Sequence, residues 1–333
     1  MGWRCTGLSW PGDGPVLGWR REGSGRGRER VSALAYGKEL GFRAGGERHC
    51  VGARGNVCPV AAVVPAGSTG ARCAECARLD RAHSVAADTL ADDPRPYRVY
   101  LAWFGPGTVK VGITRESRGG ARLREQGAVV FSWLGRGPLM AARRTEELLR
   151  AALGVPDRIA YARKRELRGV LPGADGRAAE VERLYRRAVA LEGAGWPEAL
   201  ERLPFEAVDH GGIFGLDAAG TTETTGATGT AGVTGAAGAT RTEGATGTAG
   251  ASGAGPAGEG ARAVRGLVGG GVVAGRLVAA AGPDLYLAVP AEGTVVLDTR
   301  LITGWELTGA DVRSGVTVPL VAVGAGGVQD GLF

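Results

Sequence analysis

The sequence has very little lysine: three of its 40 basic residues are lysine and the other 37 are arginine. It also lacks a long apolar run. A membrane span requires about 18 or more apolar, uncharged residues, and Arg276 interrupts the best candidate, residues 264–289. The first residues lack the apolar core of a signal peptide. We therefore expect a soluble, cytoplasmic protein with no membrane partner.

Aromatic residues are scarce at 6%, whereas glycine is abundant, with 60 residues. Much of the glycine lies in residues 217–261, where 38 of 45 residues are Gly, Ala, Thr or Ser and the heptapeptide GATGTAG occurs twice. Glycine recurs there with a period of three, as in collagen, but a triple helix also needs abundant proline and this segment contains only Pro256. The composition predicts a disordered, low-complexity linker.

Basic charge is concentrated in one part of the chain. Residues 1–216 contain 34 basic and 24 acidic residues, a net charge of +10, whereas residues 217–261 carry −3 and residues 262–333 carry −1. A basic region of this kind favours a polyanionic partner such as nucleic acid. A general preference for arginine in the genome explains the excess equally well.

Four of the five cysteines follow the spacing C-x7-C-x14-C-x2-C: Cys50, Cys58, Cys73 and Cys76. Two thiolates two residues apart, as in "CAEC", can face one tetrahedral ion, and the earlier pair completes a four-thiolate site. Structural zinc suits this donor set, because thiols in a reducing cytoplasm do not persist as disulfides.

Two alternatives to this zinc site stay open. The first cysteine pair is wider than usual, so His49 or His83 could replace one sulfur, and ordinary buried thiols would need no metal. The fifth cysteine, Cys5, lies in a predicted strand and is interpreted as a small apolar residue.

A β-hairpin is predicted by residues 98–104 (RVYLAWF) and 109–114 (VKVGIT), which are rich in β-branched and aromatic residues and flank the turn sequence GPGT. A short arginine-rich helix, an apolar strand at 128–134 and a helix between Pro138 and Gly154 follow. The predicted order is β, β, α, β, α. Residues 1–49 and 272–323 predict short strands, and we expect these two ends to pack together.

This block resembles the GIY-YIG nuclease superfamily, in the divergent branch whose second motif reads Lys-Ile/Val-Gly. The residues that carry the resemblance are VYLA at 99–102, KVGITR at 110–115 and RLREQGA at 122–128, with Cys50, Cys73, Cys76 and His83 before them and residues 285–307 after them. The ordered set is similar to an uncharacterised bacterial and archaeal family, a domain of unknown function, in which a four-cysteine module precedes the hairpin.

The resemblance implies an active site. In these nucleases a first-motif tyrosine helps to activate the attacking water, an arginine on the first helix stabilises phosphate charge, and a glutamate on a later helix holds one divalent metal. Tyr100, Arg122 and Glu146 match these positions, with Glu147 as the alternative glutamate. The implied metal is Mg²⁺ or Mn²⁺. Lys110 stands where the second-motif tyrosine would be and is included among the candidate catalytic residues.

The register of the hairpin tests this assignment. If Tyr100 pairs with Gly112 or Thr114, its side chain lies on the same face as Lys110, and a shift of one residue would place it on the other face. Gly112 matches the family glycine at which the backbone approaches closely. Each of these residues also has an ordinary structural explanation, as a sheet residue, a packing position, a solvated charge or a paired helix residue.

The sequence thus predicts an α+β protein with a GIY-YIG-like core flanked by a zinc module and short β modules. The predicted parts are an N-terminal β segment (1–49), a four-cysteine zinc module (50–97), the core (98–203), the linker (217–261) and a C-terminal β module (262–333). The leading hypothesis is a nucleic-acid-binding protein that acts as a metal-dependent endonuclease. The alternative is a catalytically inert, zinc-stabilised binding or scaffold protein that keeps only the fold.

Overall fold

The computed structural model describes residues 2–12, 14–21, 28–82, 93, 95–156, 158–217, 258 and 260–324. His83 and nearly all of the predicted linker, residues 218–257 and 259, lie outside the described residues, so the linker stays a prediction. None of the helices in the described ranges has the length and apolar character needed to span a membrane.

The described residues form a mixed α+β fold of strands and helices. The strands are β1 (Trp3–Ser9), β2 (Val16–Arg21), β3 (Arg28–Ala33), β4 (Glu39–Gly45), β5 (Tyr97–Gly105), β6 (Thr108–Arg115), β7 (Val130–Gly137), β8 (Glu201–Arg202), β9 (Val208–Asp209), β10 (Arg262–Val264), β11 (Val272–Ala281), β12 (Asp284–Val289), β13 (Gly293–Asp298), β14 (Glu306–Gly309) and β15 (Leu320–Ala322). The helices are α1 (Ala74–Ala82), α2 (Ala121–Gln126), α3 (Leu139–Leu153), α4 (Tyr161–Leu167), α5 (Ala174–Val189), α6 (Gly211–Phe214) and α7 (Thr299–Ile302).

Strands from both ends of the chain form one ten-stranded sheet, in the order β15-β10-β13-β12-β11-β4-β14-β1-β2-β3. Strand β1 pairs with β14, and β4 pairs with β11, where Phe42 lies opposite Val273. The two ends therefore pack together, as the sequence analysis expects. Side chains such as Leu285 and Leu297 are fully buried in its core, and each contributes about 1.5–3 kcal/mol relative to an exposed position.

The predicted hairpin is the pair β5–β6, at one edge of a second sheet with the order β6-β5-β7-β8, in which β9 also pairs with β7. The predicted order β, β, α, β, α is confirmed by β5, β6, α2, β7 and α3. The arginine-rich segment differs slightly from the prediction, because Arg118 ends a separate 3₁₀ turn and only Arg122 lies on α2.

Alternate residues of β5 face two different apolar layers, as the period-two geometry of a strand requires. Val99 and Leu101 pack with residues of α3 and α5, including Leu149 and Leu184. Tyr100 lies on the opposite face, in an apolar cluster with Ala102, Phe104, Leu123, Ala128 and Phe131. The candidate tyrosine is thus held between the sheet and α2.

Helix α4 joins the small sheet to the large one through buried charges. Arg165 contacts Asp284 at 2.7 Å and Asp298 at 2.5 Å, and Arg168 contacts Asp284 at 2.8 Å. Arg168 and Asp284 are both fully buried. Removing one partner would leave an uncompensated buried charge, which typically costs about 3–5 kcal/mol. These pairs fix α4 against β12 and β13.

Arg48 fixes the cysteine-containing loops to the large sheet in a similar way. Its buried guanidinium donates to the carbonyls of Thr303 at 2.8 Å, Pro65 at 2.6 Å, Ser68 at 2.6 Å and Arg300 at 2.8 Å. Four backbone acceptors from two chain segments are satisfied by one side chain. The loop that precedes α1 is therefore anchored on α7.

Candidate functional site

The register of the hairpin agrees with the sequence-based expectation. Tyr100 lies opposite Gly112, and Ala102 lies opposite Lys110. Because side chains alternate between the two faces of a strand, Tyr100, Lys110 and Gly112 share one face. A shift of one residue, which would have separated Tyr100 from Lys110, does not occur.

Gly112 is a glycine because the ring of Tyr100 lies directly over it. A Cβ built on Gly112 would overlap the hydroxyl and the ring carbon that bears it. Any other residue would displace the ring, so the glycine lets the Tyr100 hydroxyl extend over β6, the last strand at this edge of the sheet in the described residues. The close approach expected at Gly112 is thus made by the tyrosine itself.

Gln126, the last residue of α2, connects Tyr100 to Lys110. Its side-chain Nε2 donates to the Tyr100 hydroxyl at 3.0 Å, and its Oε1 accepts from Lys110 Nζ at 3.1 Å. The amide is buried. One side chain therefore holds both motif residues in place.

Lys110 determines which way this amide faces. An ammonium group has three donors and no acceptor, so it must face the carbonyl oxygen of the Gln126 side chain. The amide nitrogen is then left facing Tyr100, whose oxygen accepts. A neutral residue at position 110 would remove that requirement, so the position favours a cationic side chain.

Lys164, on α4, is a second lysine that meets Gln126. Its Nζ donates to the backbone carbonyl of Gln126 at 2.9 Å and lies 4.1 Å from the ring centroid of Phe104 and 4.4 Å from that of Tyr161. Only 4% of the residue is exposed. Burial, together with the nearby charges of Arg168 and Lys110, lowers the pKa of Lys164 to about 6. Two of the three lysines of the chain thus converge on one glutamine.

Tyr100 interacts electrostatically with two of the other predicted site residues, Arg122 and Glu146. Burial raises the pKa of its phenol above the usual value; the Gln126 hydrogen bond and the Arg122 charge lower that pKa, and the Glu146 charge raises it. The residue is 2% exposed. Tyr100 therefore keeps its proton at neutral pH and can donate it in a hydrogen bond.

Arg122 and Glu146 lie on two different helices, and the charges of both affect the Tyr100 phenol. The Arg122 side chain on α2 is 46% exposed and makes a long contact of 3.6 Å with Glu125, which leaves its guanidinium accessible to a ligand. Glu146 on α3 is half-buried, whereas Glu147 beside it is exposed. Of the two glutamates considered from the sequence, Glu146 is the one whose charge reaches Tyr100.

The four cysteines predicted as metal ligands come together. The Sγ atoms of Cys50, Cys58, Cys73 and Cys76 all lie within 4.8 Å of one another, and three of the four residues are buried. A tetrahedral ion with metal–sulfur bonds of about 2.3 Å needs sulfur atoms about 3.8 Å apart, so the cluster has the right size. All five cysteines are free thiols, with no disulfide among them.

Local backbone geometry builds this cluster. Cys73 immediately precedes α1 and Cys76 lies in its first turn, so both thiols are at the helix N-terminus. The backbone N–H groups of Gly52 and Cys73 donate to Cys50 Sγ at 3.3 and 3.2 Å. Such donors stabilise a thiolate. This set of thiols can hold a metal ion such as zinc.

The pKa values of two of these thiols move in opposite directions. Backbone N–H groups, that of Ala62 above all, lower the pKa of Cys58 to about 7. Burial, together with the neighbouring thiols, raises the pKa of Cys76 to about 12. One thiol is therefore partly ionised at neutral pH, and a metal would have to displace a proton from the other.

Of the two histidines considered as alternative metal ligands, the structure describes only His49. His49 is not a member of the cluster; its Nδ1 lies 2.8 Å from the Ala61 carbonyl. His83 lies outside the described residues. Cys5 is fully buried in β1, within the core of the large sheet, as expected for a small apolar residue, and burial raises its pKa to about 12.

These features define an α+β protein with a compact four-cysteine cluster and a hairpin site at the edge of a small sheet. The chain belongs to a family of proteins of unknown function, DUF2797, whose sequence model matches residues 37–307. The matched range includes all four cysteines, the hairpin and Glu146. Neither a curated protein nor a solved structure was found to match the chain.

Proposed function

We propose that the protein binds nucleic acid and hydrolyses a phosphodiester bond with the help of a divalent cation, using a divergent GIY-YIG-type core. The observation that supports this most strongly is the environment of Tyr100. One phenol lies across Gly112, is oriented by Lys110 through Gln126, and interacts with both Arg122 and Glu146. The four predicted catalytic residues lie on three separate elements. Tyr100 and Lys110 are on the β5–β6 hairpin, Arg122 is on α2 and Glu146 is on α3.

The chemistry of these side chains suits phosphoryl transfer. Negative charge develops on the nonbridging oxygens and the leaving group of a phosphodiester during in-line attack, and a positioned guanidinium stabilises it. Arg122 would supply that group. Tyr100 would position the water or a phosphate oxygen by donating its O–H, because a phenol with a raised pKa is neutral at pH 7.

Glu146 would supply the protein's carboxylate ligand to Mg²⁺ or Mn²⁺. Magnesium is commonly bound through one or two carboxylates together with substrate phosphates and water, so a single half-buried glutamate fits such a site. When bound, the metal would neutralise phosphate charge and lower the pKa of a coordinated water.

We further propose that the four-cysteine cluster binds structural zinc. Four sulfur ligands with no open position are typical of structural rather than catalytic zinc sites. The cluster stands between β4 and the β5–β6 hairpin in the chain, and Arg48 anchors its loops on α7. Zinc would therefore hold the loops that connect the large sheet to the core.

One observation favours a second function, nucleic-acid binding without cleavage. Tyr100 is 2% exposed and its oxygen already accepts a hydrogen bond from Gln126. A phenol this deeply buried can meet a phosphate only if the substrate displaces neighbouring side chains. A protein with this second function would keep the fold and the basic surface but would not hydrolyse phosphodiester bonds.

Two assays on the same preparations separate these functions. Salt-dependent retention on single- and double-stranded DNA and RNA measures binding, and incubation of those nucleic acids with Mg²⁺ or Mn²⁺ measures cleavage. The hydrolytic function predicts that Tyr100→Phe and Glu146→Gln abolish cleavage while binding persists. Binding with no cleavage by the unmodified protein supports the second function, and no retention of any nucleic acid contradicts both.

A further inference from the structure

An arginine-lined cleft lies beside the hairpin turn, outside the residues assigned to the candidate site. It has a volume of about 500 Å³ and is bounded by the β5–β6 turn at Gly107–Val109, the end of α3, the α3–α4 connection and one face of α5. Three of its lining residues are Arg158, Arg163 and Arg187, and no acidic residue lines it in the described part of the chain.

Among the described residues, few carboxylates compensate the charge of this cleft. All three arginines are exposed. Arg163 contacts Glu166 at 3.0 Å, whereas the described residues provide no such carboxylate contact for Arg158 or Arg187. Glu180, near the turn, accepts hydrogen bonds from Trp103 and the Gly107 backbone, and Asp157 lies outside the described residues.

A second cleft of the molecule has a different charge balance. That cleft, of about 330 Å³, is lined by Arg95 and Arg136 but also by Asp93 and Glu201, so its charges are balanced. Asp93 is bound by Arg95 at 2.6 Å. The abundance of arginine in the chain therefore does not by itself produce an uncompensated concave surface.

The arginine-lined cleft and the apolar cluster around Tyr100 share one residue. Ile159 lines the cleft and also packs against the apolar cluster. On β6, Val109 in the cleft is three residues from Gly112, a distance of about 10 Å along a strand. On α3, Leu153 in the cleft is seven residues from Glu146, again about 10 Å.

We propose that Arg158, Arg163 and Arg187 bind backbone phosphates of a polynucleotide that is also bound at Tyr100, Arg122 and Glu146. This inference rests on the proposed function and adds a second contact region to it. Guanidinium groups bind phosphate oxygens through two donors at once, and such contacts orient a nucleic acid without reading its sequence. The volume of the cleft, about 500 Å³, lies within the range of pockets that bind small ligands.

The test uses fluorescence anisotropy of labelled single- and double-stranded oligonucleotides over a range of NaCl concentrations, without added Mg²⁺ or Mn²⁺. The full-length protein is compared with the double variant Arg158→Gln/Arg187→Gln and with Arg186→Gln. Arg186 is a matched control, because it is exposed on α5 next to Arg187 but pairs with Glu182 and does not line the cleft. A parallel titration with inorganic tripolyphosphate measures binding of a small phosphate.

We expect the slope of log K against log salt to fall by about two in the double variant for duplex DNA, because each lost phosphate contact removes about 0.9. The Arg186→Gln slope should match that of the unmodified protein. Equal slopes in the double variant and the unmodified protein would overturn the cleft assignment and leave the proposed function standing. An equal loss in Arg186→Gln would also overturn it.

The two probes distinguish a failure of the proposed nucleic-acid function from a failure of the cleft assignment. If the unmodified protein binds no oligonucleotide but binds tripolyphosphate, and the double variant loses that binding, the cleft is a site for small phosphates and the nucleic-acid function is wrong. If neither probe binds, both proposals are overturned.

Discussion

Gln126 donates its side-chain N–H to the hydroxyl of Tyr100 at 3.0 Å, and the other end of the same amide accepts from Lys110. The hydrogen bond from Gln126 to Tyr100 therefore depends on Lys110, which takes no part in that bond. Since the ammonium group cannot accept a hydrogen bond, Lys110 fixes the orientation of the Gln126 amide. The amide N–H then determines which lone pair of the Tyr100 oxygen accepts a hydrogen bond. Lys110 acts on Tyr100 through the Gln126 side chain. In preorganised sites, supporting residues orient the functional side chains in the same way.

This arrangement predicts energetic coupling between Lys110 and the Tyr100 hydroxyl. In a double-mutant cycle of Lys110→Met and Tyr100→Phe, the free energies of unfolding in urea should be non-additive by about 0.5–1 kcal/mol. The coupling should disappear when the cycle is repeated with Gln126→Leu, which removes the bridging amide. Lys110→Arg, which keeps donors at this position, is the control. Additive effects with Gln126 intact would show that the amide is not fixed by Lys110.

Gly112→Ala should destabilise the protein by about 1–3 kcal/mol, because the added methyl group would overlap the Tyr100 ring. In a Tyr100→Ala background the same substitution should be nearly neutral. Gly173→Ala is a suitable control, since a Cβ there would meet no atom within 4 Å. Thermal or chemical denaturation measures all four variants. An equal cost of Gly112→Ala with and without the tyrosine ring would contradict the close approach.

Zinc should be present at one equivalent per chain, measured by mass spectrometry of the metal in purified protein. Cys76→Ser should lower both the metal content and the melting temperature, because a buried ligand of a closed four-thiolate site is lost. Cys5→Ala, which changes a buried cysteine outside the cluster, should keep the metal. Full metal occupancy in Cys76→Ser would exclude the four-cysteine site.

Lys164 should make stability depend on pH. Its pKa of about 6 in the folded protein lies far below the value of about 10.4 expected in the unfolded chain. Between these values the unfolded state binds more protons, so the free energy of unfolding rises with pH, by up to about 1.4 kcal/mol per pH unit. Compared with Lys164→Met, the unmodified protein should gain stability from pH 7 to pH 9. Parallel pH profiles for the two proteins would mean that Lys164 is charged in the folded state.

The small sheet could be predicted from the sequence because its signals are local. The β5–β6 strands, the turn between them and the boundaries of α3 follow from composition over about ten residues at a time. The order of the ten-stranded sheet could not be predicted, since β1 pairs with β14 about 300 residues later in the chain. Strand β3 also begins inside a stretch rich in arginine and glycine that gives no strand signal.

The candidate site could be predicted only in part. Tyr100, Arg122 and Glu146 were found through their order in the chain, and the four cysteines through their spacing. Gln126 and Lys164 were missed, because an interior amide and a helical lysine have no motif of their own. The scarcity of lysine was the available signal, since it sets Lys164 apart as clearly as Lys110.

The central claim is that Tyr100, Arg122 and Glu146 form one hydrolytic site. Its most direct test is the rate of Mg²⁺- or Mn²⁺-dependent cleavage of labelled DNA and RNA by Glu146→Gln and by Glu147→Gln. These two substitutions make the same change at adjacent positions on α3, where Glu146 is half-buried and Glu147 is exposed. We predict a loss of about a hundredfold or more for Glu146→Gln and an unchanged rate for Glu147→Gln. Equal rates in the two variants, or no cleavage by the unmodified protein, would contradict the claim.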